Sequence, residues 1–379
     1  MITCEVSYAS KNKEGESICG DTIRIRRDAQ REAVSVSDGL GSGVKASILS
    51  TLTASMASTM VFNHVPLNEV VSSILSTLPV CKVRGISYAT LCTVLVDYTR
   101  RTCAIIEYEF PVVLFFRGHV LLELKKNKRI IEGKEIYISR VDVEENDSLF
   151  LMTDGVSQAG MGIPNFPFGL GLENIKTELV HLLKNKISHQ EIVTYIVNLA
   201  SRLDKGTRGD DALAAGLHFR EFRVTNVLVG PPEKPESDRF VVQKFMGLFG
   251  KKVVCGGTTG QILEKTLGKT IDIDIFSITE KSPPIGYLDG IDLITEGIIT
   301  LSQVYRYLEN QDRELGYGAK RLIDLIEEAD CINFLVGRAI NPAHQNPLFS
   351  HDISLKFRII HDIATSLEKK GKLVNIEYF

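Results

Sequence analysis

Alternating and continuous apolar runs divide the first 220 or so residues into strands that are interrupted by pairs of helices. β-Branched and aromatic residues at every second position, or in short unbroken runs, are typical of strands. The predicted strands are Thr3–Tyr8, Asp21–Arg27, Glu32–Val36, Tyr88–Asp97, Thr102–Phe110, Val112–Phe116, Val120–Leu124, Glu135–Val141, Ser148–Met152 and Ala212–Phe219. The predicted helices are Lys45–Phe62, Leu67–Leu78, Leu172–Lys184 and Gln190–Leu203. Runs of strands separated by helix pairs indicate an α+β fold.

Near residue 224 the pattern changes to short strands that alternate with helices. The predicted strands are Val227–Gly230, Lys252–Cys255, Asp272–Phe276, Cys331–Val336 and Leu373–Tyr378. The predicted helices are Ser237–Phe249, Gly260–Leu267, Ile294–Leu308, Ala319–Ala329 and Leu355–Lys369. This alternation predicts an α/β domain with a mainly parallel sheet covered by helices on both faces. We therefore expect two domains, residues 1–223 and 224–379.

Composition and charge narrow the functional classes. The chain has 379 residues, of which 44% are hydrophobic, and a net charge of −3, as is ordinary for globular proteins. A nucleic-acid partner is not expected, because the longest basic run, Lys125–Arg129, reads as a solvated hairpin. Neither a signal peptide nor an apolar run near the roughly 20 residues of a spanning helix is found, so no membrane association is expected. Seven cysteines without paired metal spacing are typical of reduced thiols in the cytoplasm.

Aspartate-containing turns at the ends of four predicted strands are the sharpest local feature. They are Gly20-Asp21, Asp38-Gly39, Asp154-Gly155 and Asp210-Asp211. A single Asp-Gly pair is more often a turn than a ligand, but strand ends can bring distant carboxylates together, and such a cluster is costly without a cation. Mg²⁺ and Mn²⁺ prefer oxygen ligands, whereas the chain lacks the Cys/His cluster that zinc favours. The combination indicates a metal site suited to phosphoryl transfer to water.

Three motifs carry a family resemblance. They are Asp-Gly-Leu-Gly-Ser-Gly-Val-Lys-Ala from residue 38, Met-Thr-Asp-Gly-Val from residue 152 and Gly-Asp-Asp-Ala-Leu from residue 209. In order and spacing they resemble the bacterial branch of the protein phosphatase 2C superfamily, typified by the sporulation stage II protein E phosphatase. The resemblance covers about residues 1–219. It implies an antiparallel β-sandwich flanked by helix pairs, with two Mn²⁺ or Mg²⁺ ions at one edge.

The resemblance also implies roles for individual residues. Asp38 matches the carboxylate that bridges both metals, and the carbonyl of Gly39 matches a ligand of the second metal. Asp154 and Asp210 match the remaining carboxylates of the first metal, so that Asp38, Asp154 and Asp210 form the expected catalytic set. Asp21 matches an acidic position that acts around the ligands or through water.

Other positions are less closely tied to the family pattern. Asp211 is either a further metal ligand or a residue that orients the turn. Leu40 stands where eukaryotic members carry a histidine that protonates the leaving group. Arg24, Arg26 and Lys45 are candidate contacts for the substrate phosphate.

The implied activity is hydrolysis of phosphoserine or phosphothreonine on a partner protein by a metal-bound hydroxide. The implied setting is bacterial partner switching, with a phosphorylated regulator of the anti-sigma-antagonist type as substrate. Two alternatives stay open: a catalytically inert module that senses phosphoprotein or metal, and a small-molecule phosphohydrolase. The intact set of aspartates favours catalysis over the inert module.

In the second domain, a glycine-rich turn follows the strand Lys252–Cys255 and opens a helix. The turn consists of Gly256, Gly257, Thr258, Thr259 and Gly260. Glycines let a backbone approach a ligand, and helix N–H groups favour anions. The turn is neither a Walker A motif, since no lysine follows, nor a complete dinucleotide fingerprint. An anion site for a small ligand and a plain strand–helix turn are therefore both open.

Overall fold

The computed structural model describes residues 2–77, 89–205, 209–339 and 352–379. The ends of two predicted elements, Leu78 and Tyr88, lie outside the described residues. The chain divides into two compact units, Met1–Glu221 and Phe222–Phe379.

The first unit is rich in antiparallel strands. Its strands are β1 (Ile2–Lys11), β2 (Asp21–Arg27), β3 (Arg31–Gly39), β4 (Ala89–Asp97), β5 (Thr102–Tyr108), β6 (Val112–Arg117), β7 (Val120–Leu122), β8 (Asn127–Ile131), β9 (Lys134–Asp142), β10 (Asp147–Met152) and β11 (Ala212–Glu221). Its helices are α1 (Gly43–Phe62), α2 (Leu67–Thr77), α3 (Asp154–Ser157), α4 (Gly171–Lys184) and α5 (His189–Leu203). The strands form a five-stranded sheet in the order β1-β11-β10-β6-β7 and a six-stranded sheet in the order β2-β3-β4-β5-β9-β8.

The two sheets pack face to face over a shared apolar core. Val36 of β3 and Ile105 of β5 belong to the same buried cluster as Phe115, Leu149 and Leu217 of the other sheet. On the outer faces, α1 and α2 cover the six-stranded sheet, and α4 and α5 cover the five-stranded sheet. The expected α+β fold, an antiparallel sandwich flanked by helix pairs, is confirmed.

His189, at the start of α5, lies in a partly buried stack on the five-stranded sheet. Its ring lies between the rings of Phe150 and His218, with centroid distances of 5.5 and 4.2 Å. The hydroxyl of Ser148 lies 2.7 Å from Nε2. Burial, followed by the neighbouring His218, lowers the pKa of His189 to about 4, whereas Glu5 opposes the shift.

We expect the unfolding free energy to fall as the pH drops from about 6.5 to about 4. In this range His189 is protonated in the unfolded chain but stays neutral in the folded protein, so acid favours the unfolded state. The stability is fully present above this window. Urea unfolding across the window should show a loss of about 2–3 kcal/mol that is smaller in His189→Gln. An identical pH slope in the two proteins would contradict the assignment.

The second unit contains a seven-stranded sheet with helices on both faces. Its strands are β12 (Val224–Val229), β13 (Lys251–Cys255), β14 (Asp272–Asp274), β15 (Ile285–Leu288), β16 (Ile291–Thr295), β17 (Cys331–Val336) and β18 (Leu373–Tyr378). Its helices are α6 (Asp238–Gly247), α7 (Gly257–Leu267), α8 (Ile298–Asn310), α9 (Tyr317–Glu328) and α10 (Asp352–Lys369). The sheet order is β14-β15-β16-β13-β12-β17-β18. The five strands from β16 to β18 are parallel, which confirms the mainly parallel sheet.

One predicted helix in this unit is wrong in part. The segment Ile294–Leu308 was expected to be helical throughout, but Ile294 and Thr295 end the strand β16 and α8 begins only at Ile298. A short, continuously apolar strand shows no alternation of its own. The sequence pattern therefore does not reveal where such a strand ends and the following amphipathic helix begins. Strand β15, which pairs with β16 in antiparallel fashion, was also missed. Among the described helices, none is both long enough and apolar enough to cross a membrane.

Candidate metal centre

Four strand ends bring aspartates together at one edge of the sandwich. Asp21 opens β2 and lies opposite Asp38, near the end of β3, in the antiparallel register of the six-stranded sheet. Asp154 begins α3, two residues after the end of β10, and Asp210 lies two residues before β11, the partner of β10 in the five-stranded sheet. Each sheet therefore supplies two carboxylates.

Thr153 connects the two sheets at this edge. Its hydroxyl donates to Oδ2 of Asp21 at 2.7 Å and accepts the backbone N–H of Leu213 at 2.9 Å. Asp21 hydrogen-bonds Asp38 through their side chains, and Asp38 in turn hydrogen-bonds Asp154. Asp154 faces the charge of Asp210. We call Asp21, Asp38, Asp154 and Asp210 the aspartate row.

The surroundings of the aspartate row disfavour the ionised form of its side chains. Burial, and then the neighbouring Asp38, raise the pKa of Asp21 to about 9. Burial, and then Asp154, raise the pKa of Asp38 to about 7. The pKa of Asp154 is raised by burial and by Asp210. Buried like charges cannot all ionise without a compensating cation, so the row either keeps protons or takes up positive charge.

The donor chemistry of the row fits a hard divalent cation, because all four of its side chains offer carboxylate oxygens. Across the described ranges, however, no three His, Cys, Asp or Glu side chains converge as the ligands of one ion do. The aspartates instead interact in pairs along the row. Binding an ion therefore requires the carboxylates to turn from one another toward a common point.

Lys13 is a site residue that the sequence pattern did not reveal. Its ammonium group donates to Oδ1 of Asp210 at 3.1 Å, and its backbone N–H donates to Oδ1 of Asp211 at 2.9 Å. Lys13 lies in the loop between β1 and β2, outside any motif. In the part of the chain that the structure describes, no ion pair joins Arg24, Arg26 or Lys45 to the row.

Asp211 adjoins the row at the end that Asp21 occupies. It is only 4% exposed, and its charge helps to raise the pKa of Asp21. Its second oxygen, Oδ2, is buried and has no hydrogen-bond partner within the described residues. The Cys19 thiol interacts with the same carboxylate, and a bound cation or its water would be a further partner for this oxygen.

Two glycines let the surrounding helices approach the row. A Cβ atom at Gly155 would lie 1.8 Å from the carbonyl oxygen of Asp211, so the start of α3 packs directly on the turn that carries Asp210. A Cβ atom at Gly39 would lie 2.2 Å from the carbonyl oxygen of Ala46 in α1. The role of the Gly39 carbonyl as a metal ligand stays a prediction.

Comparison with known proteins assigns the family. The model of the family described as Stage II sporulation protein E (SpoIIE) matches residues 28–220, which is half of the chain. The chain belongs to this family. A search of curated protein sequences finds no match.

Several solved structures are similar to this chain. The phosphatase domain of SpoIIE from Bacillus subtilis is 19% identical, with a TM-score of 0.45 over 58% of this chain and 93% of that one. The RsbU and RsbW domains of Rv1364c from Mycobacterium tuberculosis are 15% identical, with a TM-score of 0.47 over 64% and 68% of the two chains. RsbX in complex with magnesium is 18% identical, with a TM-score of 0.39 over 57% and 99%.

Proposed function

We propose that the first unit hydrolyses phosphoserine or phosphothreonine on a partner protein with the help of divalent cations. The observation that carries the proposal is the aspartate row, in which each sheet contributes two carboxylates at one edge of the sandwich. Membership of the SpoIIE family supports it. Four neighbouring carboxylates, of which Asp21 is buried and Asp38 and Asp154 are half-buried, repel one another when ionised, and Lys13 offsets only part of that charge.

Each residue of the site has a proposed task. Asp38, Asp154 and Asp210 would hold two Mn²⁺ or Mg²⁺ ions together with the carbonyl of Gly39, and Asp21 would orient Asp38 through their shared hydrogen bond. When bound, such ions lower the pKa of water and offset the charge of a phosphate group.

Lys13 and Asp211 would assist the proposed metal-binding residues. Lys13 places an ammonium group beside Asp210, where it can contact a phosphate oxygen once the carboxylate turns to an ion. Asp211 fixes the loop of Lys13 through the backbone N–H of that residue.

The proposed substrate is a small phosphorylated regulator of the anti-sigma-antagonist type in the bacterial cytoplasm, as the family resemblance implies. The second unit would regulate the phosphatase or bring it to its target, because the two are covalently joined.

The activity can be tested directly with the full chain. We expect it to release phosphate from a phosphoserine peptide in the presence of Mn²⁺ or Mg²⁺ and to stop when EDTA is added. p-Nitrophenyl phosphate serves as a small-molecule substrate in a parallel assay. Peptide binding without turnover would identify a sensing module, and turnover of the small substrate alone would identify a small-molecule phosphohydrolase.

Metal binding should also be visible without turnover. Mn²⁺ at about 100 times its dissociation constant is expected to raise the unfolding free energy by about 2.7 kcal/mol, since it binds only the folded chain. Asp38→Asn should lose this Mn²⁺-dependent gain, whereas Asp142→Asn, which changes an exposed aspartate at the end of β9, should keep it. Equal gains in the two variants would place the ion outside the aspartate row.

A further inference from the structure

The carboxyl edge of the parallel sheet in the second unit holds two helix N-termini side by side. Strands β13 and β16 are adjacent, and Cys255 pairs with Thr295 at their ends. Helix α7 begins one residue beyond β13, after Gly256, and α8 begins two residues beyond β16, after Glu296 and Gly297. A Cβ atom at Gly297 would lie 3.5 Å from Cα of Gly256, so the two loops are in contact. Open α/β sheets bind ligands at this edge.

The backbone N–H groups in the first turns of α7 and α8 have different hydrogen-bond partners. A carboxylate oxygen of Glu296 accepts the backbone N–H of Ile299 at 3.0 Å, at the start of α8. In contrast, within the described residues of this unit no side chain caps α7, and its first turn holds no acidic residue. The first N–H groups of α7 therefore have the partial positive charge of a helix N-terminus, which no side chain of the helix's own first turn balances.

Thr259 provides an independent observation at the same place. This residue is in the first turn of α7 and only 2% exposed, and its hydroxyl oxygen is buried with no hydrogen-bond partner among the described residues. A helical side chain leans toward the N-terminus of its helix. The hydroxyl of Thr259 accordingly lies 3.2 Å from the point that a Cβ atom of Gly256 would occupy. A buried hydroxyl without a hydrogen-bond partner destabilises the folded protein unless a ligand or a water molecule supplies that partner.

The glycines keep the approach to this hydroxyl and to the first N–H groups open. Gly256 has φ of 125° and ψ of 129°, a conformation that residues with a side chain rarely adopt. A Cβ atom at Gly257 would have nothing within 4 Å, and both Gly257 and Thr258 are exposed. A ligand can therefore reach the start of α7 from solvent.

We infer that the turn from Gly256 to Gly260 binds the phosphate group of a small phosphorylated molecule. The backbone N–H groups at the start of α7 would donate to the phosphate oxygens, as they do at other helix N-termini that hold anions. The Thr259 hydroxyl would donate a further hydrogen bond from beneath the turn. Glu296 on the neighbouring loop limits the affinity for a bare dianion, which favours a ligand whose hydroxyl groups can donate to a carboxylate. This inference does not depend on the proposed phosphatase activity.

Calorimetric titration of the full chain with inorganic phosphate and, separately, with ADP tests the inference. EDTA and the background substitution Asp38→Asn exclude binding at the aspartate row, and sodium chloride at equal ionic strength controls for salt. We expect saturable binding. Much tighter binding of ADP identifies a nucleotide ligand, and similar affinities show that the phosphate group alone is recognised; both support the inference. Failure of both ligands to bind at millimolar concentration would overturn it.

Three substitutions locate the site. Gly257→Asp should abolish binding while preserving the fold, because a carboxylate in the first turn of a helix is favourable but occupies the place of the anion. Thr259→Val keeps the shape and removes the hydroxyl, so binding should weaken by roughly tenfold or more. Gly247→Asp makes the same charge change at another open glycine and should leave the affinity unchanged. Wild-type affinity in either Gly257→Asp or Thr259→Val would refute the site.

Discussion

Asp38→Asn is expected to reduce phosphopeptide hydrolysis by more than about a thousandfold, because in the proposed site the amide could not supply the negative charge that would hold divalent cations. Asp38 lies between Asp21 and Asp154 and contacts both. The substitution keeps the shape of the side chain and removes like-charge repulsion, so the metal-free protein should be at least as stable as the wild type. Phosphate release and urea unfolding, measured on the same preparation, separate the loss of activity from a loss of fold.

Asp154→Asn provides a second arm of this experiment and should behave in the same way. Asp142→Asn is the matched control, because it makes the same chemical change at an exposed aspartate that is remote from the motifs. Should Asp38→Asn retain hydrolysis and Mn²⁺ binding, the assignment of Asp38 as the central ligand is wrong.

Gly155→Ala is expected to disrupt both stability and activity. The added Cβ atom would lie 1.8 Å from the carbonyl oxygen of Asp211, a backbone atom that cannot rotate away. The start of α3 or the turn that carries Asp210 must therefore move. We expect a loss of about 3 kcal/mol in unfolding free energy, typical of a severe overpacking change. Because Asp154 and Asp210 would shift relative to each other by about 1 Å or more, activity per folded molecule should fall by about a hundredfold.

The control for this change is Gly247→Ala, where the new Cβ atom has nothing within 4 Å. This position is in a helix, so alanine should leave the stability equal or slightly higher. Chemical denaturation gives the stabilities, and a folded-protein titre normalises the rates. Wild-type stability and rate in Gly155→Ala would show that the turn can relax, and that close packing there is not what aligns the aspartates.

The sequence indicated the aspartates of the site because strand ends and turn residues leave a local pattern. It could not indicate that Asp21 lies directly opposite Asp38, since strand register depends on pairing between segments that are separated along the chain. The hydroxyl bridge of Thr153 and the ion pair of Lys13 were missed for a similar reason. Neither contact has a periodic or compositional signal. The Thr153–Asp21 bond depends on how the two sheets are aligned, and the Lys13–Asp210 pair depends on the pairing of β1 with β11.

In the second unit, local propensity misled the assignment of α7. The helix was expected to begin at Gly260 because glycines and threonines are weak helix formers. It begins at Gly257 instead, which moves Thr259 from the preceding turn into the first turn of the helix. The error concerns three residues, but it decides whether the Thr259 hydroxyl is a loop group or a group aimed at the helix N-terminus.

A single hydroxyl group, that of Thr153, holds Asp21 of one sheet while it is itself held by Leu213 of the other. The alignment of the layers and the orientation of the carboxylates are thus mechanically coupled. A change in the apolar interior that slides one layer against the other by a fraction of an ångström would disturb this link before it unfolded the protein. Interior packing and the arrangement of the aspartate row therefore cannot vary independently in this molecule.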